Sequence, residues 1–227
     1  MSAPVPGPAA RRLLVMDVDS TLIQDEVIEL IAEHAGTRAE VAAVTERAMR
    51  GELDFAGSLR ERVATLAGVP VSALDDVRAR ARYTPGAREL VAEAHRRGWV
   101  VALVSGGFAE VVAGLAAPLG ITRFRANRLE VADGVLTGRT TGPVVDRAAK
   151  EVALREFAAA EQVPLERTVA VGDGANDLDM IGAAGVGIAF AAKPLVVARA
   201  PYSVPGPRLD AVLDVVDRVD RAARALL

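Results

Sequence analysis

Cysteine is absent from the 227 residues, so no disulfide framework, thiolate nucleophile or thiolate metal site is available. A reducing compartment is the natural setting, and the chain reads as cytoplasmic. Aromatics are scarce, with five Phe, two Tyr and one Trp, too few to stack bases along a nucleic-acid surface. A net charge of −3 and a pI near 5.5 point away from nucleic acid and anionic membranes alike. No apolar stretch approaches the roughly 20 residues that span a bilayer. Only four apolar residues separate Arg12 from Asp17, too few for a signal-peptide core. Lysine is nearly missing too: among 27 Lys plus Arg, only Lys150 and Lys193 are lysine.

What is present is globular. Half the residues are hydrophobic (51%) and a quarter charged (25%), a balance that excludes disorder. The length suits one large domain, or a domain with an insert. The small, Pro-rich residues 1–10 read as a frayed tail.

The chain is organised around Leu13-Leu14-Val15-Met16-Asp17-Val18-Asp19-Ser20-Thr21-Leu22. Four consecutive apolar residues read as a buried parallel strand, and the carboxyl ends of such strands are where α/β sheets place ligands. The two aspartates leave that strand one residue apart, where a metal or phosphate could bind. The same Asp-Ser pair could equally cap the next helix.

Helical spacing then runs for about sixty residues. Val27, Ile28, Leu30 and Ile31 form one stripe that Gly36 ends, and Thr37-Arg38-Ala39-Glu40 reads as a capping box. Asp54 opens a third helix and Ser72 a fourth. Consecutive helices without a strand describe an insert over residues 24–82, leaving 11–23 and 83–227 as a core. In that core Val100-Val101-Ala102-Leu103-Val104 is a buried strand ending at Ser105-Gly106-Gly107. Residues 128–137 alternate around Asp133-Gly134, a hairpin signal. A helix over 146–160 precedes the strand Thr168-Val169-Ala170-Val171, which opens into Gly172-Asp173-Gly174-Ala175-Asn176-Asp177. A short strand at 186–189 and an amphipathic helix from Leu209 follow. The expected fold is α/β, a doubly wound, Rossmann-like parallel sheet with right-handed crossovers. If the three polar strand ends are neighbours, their loops converge on one crevice.

Asp17 and Asp173 suit a hard divalent cation shared with a phosphate, and Mg2+ is bound that way. Asp17 can act as a nucleophile, because carboxylates form aspartyl-phosphate intermediates. Asp19 can act as general acid and then base. Ser105, with the amides of Gly106 and Gly107, offers donors to phosphoryl oxygens. Lys150 stands early in its helix, where the dipole gives a cation nothing, so either a compact ammonium is needed there or it is a surface lysine. For Lys193 the surface reading is preferred. A dinucleotide-binding fingerprint is excluded, since Asp177 stands where its third glycine belongs.

These residues resemble the four motifs of the haloacid-dehalogenase-like (HAD) phosphohydrolases: Asp17-Val18-Asp19-Ser20-Thr21, Ser105-Gly106-Gly107, Lys150, and Gly172-Asp173-Gly174-Ala175-Asn176-Asp177. The helical insert resembles that superfamily's small cap, placed after the first strand. Thr45-Glu46-Arg47-Ala48-Met49-Arg50-Gly51-Glu52-Leu53-Asp54-Phe55 and Ser58-Leu59-Arg60-Glu61-Arg62-Val63 are similar to the cap of the branch that hydrolyses phosphoserine. The resemblance covers about residues 13–193 and implies a phosphatase of serine biosynthesis. It implies Asp17 as nucleophile and Asp19 as acid/base, with Mg2+ on Asp17, the Asp19 carbonyl and Asp173. Ser105, Gly106 and Lys150 would take the phosphoryl group, with Asn176 and Asp177 supporting. Glu26 and Arg62 would hold the substrate's ammonium and carboxylate between Met49 and Phe55.

On the residues alone, Met49 and Phe55 read equally as helix-bundle core, Glu26 as a first-turn acid, and Arg62 as the partner of an acid on its own helix. His34 and His95 receive no role. Many relatives carry an N-terminal regulatory domain, and feedback through one is not expected from a chain that opens near the catalytic strand. The region after Pro194 is assigned nothing. The rival readings are a phosphatase or phosphotransferase for another small phosphomonoester such as phosphohomoserine, a phospho-accepting receiver module, and a non-catalytic relative. The expected partner is a small molecule, with no nucleic acid, membrane or protein partner.

Overall fold

A computed structural model describes residues 11–49 and 52–225, with nothing said of the side chains of 48 and 49. Residues 1–10, read above as a frayed tail, lie outside the described residues.

The hydrophobic run that opens the sequence is the central strand. Leu13–Met16 (β1) is wholly buried and pairs in parallel on both sides. Val100–Phe108 (β2) is one neighbour and Thr168–Gly172 (β5) the other. Beyond β2 lie Arg123–Ala132 (β3) and Val135–Thr141 (β4); beyond β5 lie Val186–Phe190 (β6) and Tyr202–Val204 (β7). The sheet has seven strands in the order β4-β3-β2-β1-β5-β6-β7, and only the β3–β4 hairpin is antiparallel. Its turn is Asp133-Gly134, both in the left-handed region (φ 49° and 79°), a backbone that suits Asp-Gly.

Because side chains alternate along a strand, each strand feeds two layers. Leu14, Met16, Leu103 and Val171 pack with Ala87–Arg96 (α5), Ala109–Ala116 (α6) and Val212–Arg224 (α10). Leu13, Val15, Val104 and Ala170 pack with Arg147–Ala160 (α7) and Leu178–Ala183 (α8). A sheet covered on both faces explains why its central strands are continuous apolar runs.

Between β1 and β2 the chain makes four helices, Val27–Ala35 (α1), Arg38–Met49 (α2), Phe55–Ala64 (α3) and Ala73–Arg80 (α4). Asp54 caps α3 by accepting from Gly57 N at 2.6 Å. The expected capping box at Thr37 is not the hydroxyl's use, since its Oγ1 donates to the Thr65 carbonyl (3.2 Å), tying α2 to α3. The two chain segments leading into and out of the helices pair at Ile23 and Tyr83, with Gln24 N to Arg82 O at 2.9 Å and Thr84 N to Leu22 O at 2.9 Å. A second attachment joins the α3–α4 link to the hairpin: Gly68 N to Leu136 O (2.8 Å), Leu136 N to Val69 O (2.8 Å) and Val71 N to Gly134 O (2.9 Å). The helical segment is thus held at two places.

Three elements differ from expectation. β2 continues through Ser105-Gly106-Gly107 to Phe108, with a register shift against β3, so the polar segment is bulged strand rather than loop. β3 extends back to Arg123 and pairs in parallel with β2. β7 is short and partly exposed, and its Tyr-Ser-Val carries too little alternation to reveal it.

Candidate active site

Equal register brings the strand ends together. Met16 is level with Leu103 of β2 and Val171 of β5, and Asp17 N donates to Val171 O at 3.0 Å. Asp17, Ser105 and Asp173 therefore leave neighbouring strands side by side, as convergence on one crevice requires. A wide turn over Val18–Leu22 follows β1, closed by Ile23 N to Val18 O (3.0 Å), with Ser20 at φ 56°. That turn brings Asp19 back toward the crevice, where its Oδ1 accepts from Val27 N at 3.2 Å.

Lys150 lies at the bottom of the crevice. It is fully buried, which removes the surface reading. Its Nζ stands 2.7 Å from Asp177 Oδ1 and 2.8 Å from Asp17 Oδ1, the latter an ion contact outside hydrogen-bond direction. Asp177 Oδ2 accepts from Gly174 N (3.0 Å) and Asp173 Oδ1 from Thr21 Oγ1 (3.0 Å). Ser105 is also fully buried, and its Oγ accepts from Gly107 N at 2.8 Å. Asn127 was not anticipated: it is buried in β3 and fixes the bulge, donating to Gly106 O and accepting from Val145 N, each at 2.8 Å. Only the pairing of β3 with β2 makes its role visible.

Four acids near one buried ammonium strain the electrostatics. Burial pushes the Asp17 carboxyl well above its ordinary range, Asp177 adding to the rise and Lys150 opposing it. Burial and then Glu26 raise Asp19 to about 8; burial and then Asp177 raise Asp173 to about 6. Burial alone would depress Lys150, but Asp17 and Asp177 carry it above its usual value. The donor set fits a hard divalent cation: one carboxylate oxygen from each of Asp17, Asp173 and Asp177 lies within 4.8 Å of the others. Asp177 is already engaged by Lys150 and Gly174, so Asp17 and Asp173 have the freer oxygens.

Above the crevice is a pocket of about 560 Å³ whose lining includes Asp17, Asp19, Glu26, Phe55, Arg62, Gly106, Asp173 and Asn176. Of the residues singled out in the helical segment, Glu26, Phe55 and Arg62 line it, and the side chain of Met49 lies outside the described residues. Glu26 Oε1 accepts from Ser20 Oγ at 2.7 Å. Arg62 is half-buried, with Nε donating to Ser58 O at 3.3 Å, and no carboxylate among the described residues ion-pairs with it. Burial draws its pKa below the ordinary value while Glu26 and Asp19 oppose that. A Cβ at Gly106 would meet Phe55 Cζ at 3.1 Å, so the third helix closes directly on the strand end. Thr45, Arg147, Lys193 and Leu195 also line the pocket and were not assigned from the sequence.

A buried carboxylate, a fixed ammonium and a second acid at the strand ends of a doubly wound sheet suit the handling of a phosphoryl or acyl group. The family model for haloacid dehalogenase-like hydrolases matches residues 14–181, and the chain belongs to that family. It is 54% identical over 209 residues to the phosphoserine phosphatase of Streptococcus thermophilus, covering 92% of this chain and 97% of that one. It is 60% identical over 204 residues to the phosphoserine phosphatase of Streptomyces coelicolor, covering 90% of this chain but only 50% of the relative, so it spans about half that protein's length. A solved structure, the phospho-aspartyl intermediate analogue of phosphoserine phosphatase, superposes with a TM-score of 0.85 at 42% identity, over 90% of this chain and 98% of the other.

Proposed function

We propose that the protein is a Mg2+-dependent phosphatase that hydrolyses O-phospho-L-serine to L-serine and phosphate through an aspartyl-phosphate on Asp17. The observation that carries the reading is the buried Lys150 between Asp17 and Asp177, beside a pocket that Glu26 and Arg62 also line. The relatives' names and the phospho-aspartyl analogue support it.

In this reading residues 11–23 and 83–227 are the catalytic core and 24–82 a cap. Lys150, Ser105 and the Gly106 amide hold the phosphoryl oxygens, and Asn176 and Asp177 support them. An Asp17 oxygen attacks phosphorus, the bond to the serine oxygen breaks, and Asp19 gives that oxygen its proton. Asp19 then takes a proton from water as the water attacks phosphorus, the bond to Asp17 breaks, and phosphate leaves. Asp17, Asp173 and the Asp19 carbonyl would hold Mg2+, which when bound offsets the carboxylate charge facing an anionic ester and polarises its oxygens. Glu26 meets the ammonium and Arg62 the carboxylate, with Phe55 and Met49 walling the pocket. The enzyme is placed in the cytoplasm, in serine biosynthesis. Among the described residues no helix is long and apolar enough to cross a membrane.

The test is phosphate release from phosphoserine, phosphothreonine and phosphohomoserine, each with and without Mg2+. Mg2+-dependent release with phosphoserine as the best substrate is expected. Faster turnover of phosphohomoserine would move the assignment to that ester. A stable phosphoaspartate on Asp17 without phosphate release would favour a receiver-type module.

A further inference from the structure

Two lysines survive in a chain that otherwise uses arginine, and the mechanism above employs only Lys150. Lys193 lines the pocket. After β6 the chain turns sharply at Ala191, which sits in the left-handed region (φ 45°) with its N–H on Val204 O at 2.8 Å. An alanine there is strained, and strain is retained where it directs a segment. Just beyond Ala191, Lys193, Leu195 and Val196 form one stretch of the pocket's wall, which Leu53 and Phe55 of the helical segment also line. Leu195 stays 55% exposed there, a leucine left at the mouth rather than in the core.

The pocket's other cations have other tasks. Arg147 is paired with Asp179, and Arg62, half-buried with Nε on the Ser58 carbonyl, is the residue assigned to the substrate's carboxylate. Lys193 is exposed and, among the described residues, bonds to no side chain. Its backbone carbonyl serves the short helix Pro194–Val197 (α9), accepting from Val196 N at 2.9 Å, while its side chain caps nothing. Four carboxylates line the same pocket: Asp17, Asp19, Glu26 and Asp173. Those of the four that are ionised repel an anionic phosphomonoester, and the exposed Lys193 ammonium in the same lining offsets that charge.

We propose that Lys193 is an electrostatic capture residue. It draws the anionic substrate into the mouth of the pocket by charge at a distance, and takes no part in the chemistry. The inference rests on the phosphatase reading above. It needs charge, not shape, which sets Lys193 apart from Lys150.

The experiment compares wild type, Lys193→Gln, Lys193→Arg and Arg199→Gln. Arg199 is exposed, just beyond the same wall, and does not line the pocket. For phosphoserine, kcat/KM of Lys193→Gln should fall roughly three- to tenfold at low salt. The deficit should shrink toward nothing at about 0.5 M salt, where screening is short-ranged. Lys193→Arg should keep most of the wild-type value and its salt dependence, and Arg199→Gln should match wild type. Calorimetric affinity for inorganic phosphate, measured on the same four proteins at both salts, should follow the same order. A Lys193→Gln deficit equal to that of Arg199→Gln overturns the proposal. So does a deficit undiminished by salt, or one that arginine does not rescue. If wild type fails to turn over phosphoserine, the substrate reading falls, and the phosphate affinities alone still decide the role of Lys193.

Discussion

The crevice at the strand ends and the four-helix segment above it use charge in opposite ways. In the crevice, ionised groups are buried and mutually tied: Lys150 and Asp177 are fully buried and Asp17 is 5% exposed. In the helical segment, charges pair in water, as Arg38 does with Glu29 and Glu33, or Arg47 with Glu61. Among the described residues, only Glu26 and Arg62 of its charged side chains are half-buried and line the pocket. A buried array holds its geometry and acts in low dielectric, which suits bond making. A segment whose charges are mostly solvated can shift over a substrate at little electrostatic expense, which suits recognition and closure.

The comparison breaks first at Asp17. Asp17→Asn should lower turnover by at least about 10⁴-fold, the scale of losing a covalent nucleophile. Its melting temperature should hold or rise, because the like-charge repulsion from Asp177 is relieved. Substantial residual phosphate release would show that chemistry does not reside in the crevice as described. Next is Lys150→Arg, which keeps the charge but not the shape. A fork cannot fit where one ammonium bridges two carboxylates 2.7 and 2.8 Å away, and a loss of about 10²–10³-fold is expected. Wild-type kinetics in that variant would sink the clamp.

The helical side of the comparison is sharpened by Arg62→Ala and Glu26→Gln. Each should depress kcat/KM for phosphoserine more than for a phosphate ester without amino or carboxylate groups, by about 2 kcal/mol or roughly thirtyfold. Equal losses on both substrates would assign these residues to folding or closure instead. By contrast, Arg38→Ala, which removes only exposed pairs, should leave both activity and melting temperature nearly unchanged.

The crevice also sets how stability depends on pH. Asp19 and Asp173 titrate near 8 and 6 when folded, whereas unfolded carboxyls titrate near 4. Between about pH 4 and 8 the folded, metal-free protein therefore binds more protons than the unfolded chain, so its stability falls as pH rises through that window. Thermal melts with chelator should show this decline, and added Mg2+ should flatten it by stabilising the ionised cluster. A metal-free profile that rises from pH 5 to 8 would contradict the crowding of acids in the crevice.

Much was legible in the residues because it is local. An apolar run ending in Asp17-Val18-Asp19 specifies a buried strand with acids at its tip, Asp54 and Asp146 cap their helices, and Asp133-Gly134 makes the hairpin. Asp17 and Asp173 fell into one crevice for the same reason, since each follows directly on a strand, with Ser105 near the end of β2. Phe55, Glu26 and Arg62 were named only through resemblance, since helical spacing cannot distinguish a core face from a pocket face.

What local pattern cannot encode was decided by tertiary structure. Strand order alone sets β1 between β2 and β5, and so makes neighbours of Asp17, Ser105 and Asp173. The burial of Lys150 depends on α7 covering the sheet, and the bridging by Asn127 on β3 lying in parallel beside β2. Lys193 and Leu195 line the same pocket as Asp17 and Phe55, residues far from them in sequence. Sequence periodicity reports which face of an element is apolar, whereas the partner that covers that face is chosen by long-range packing.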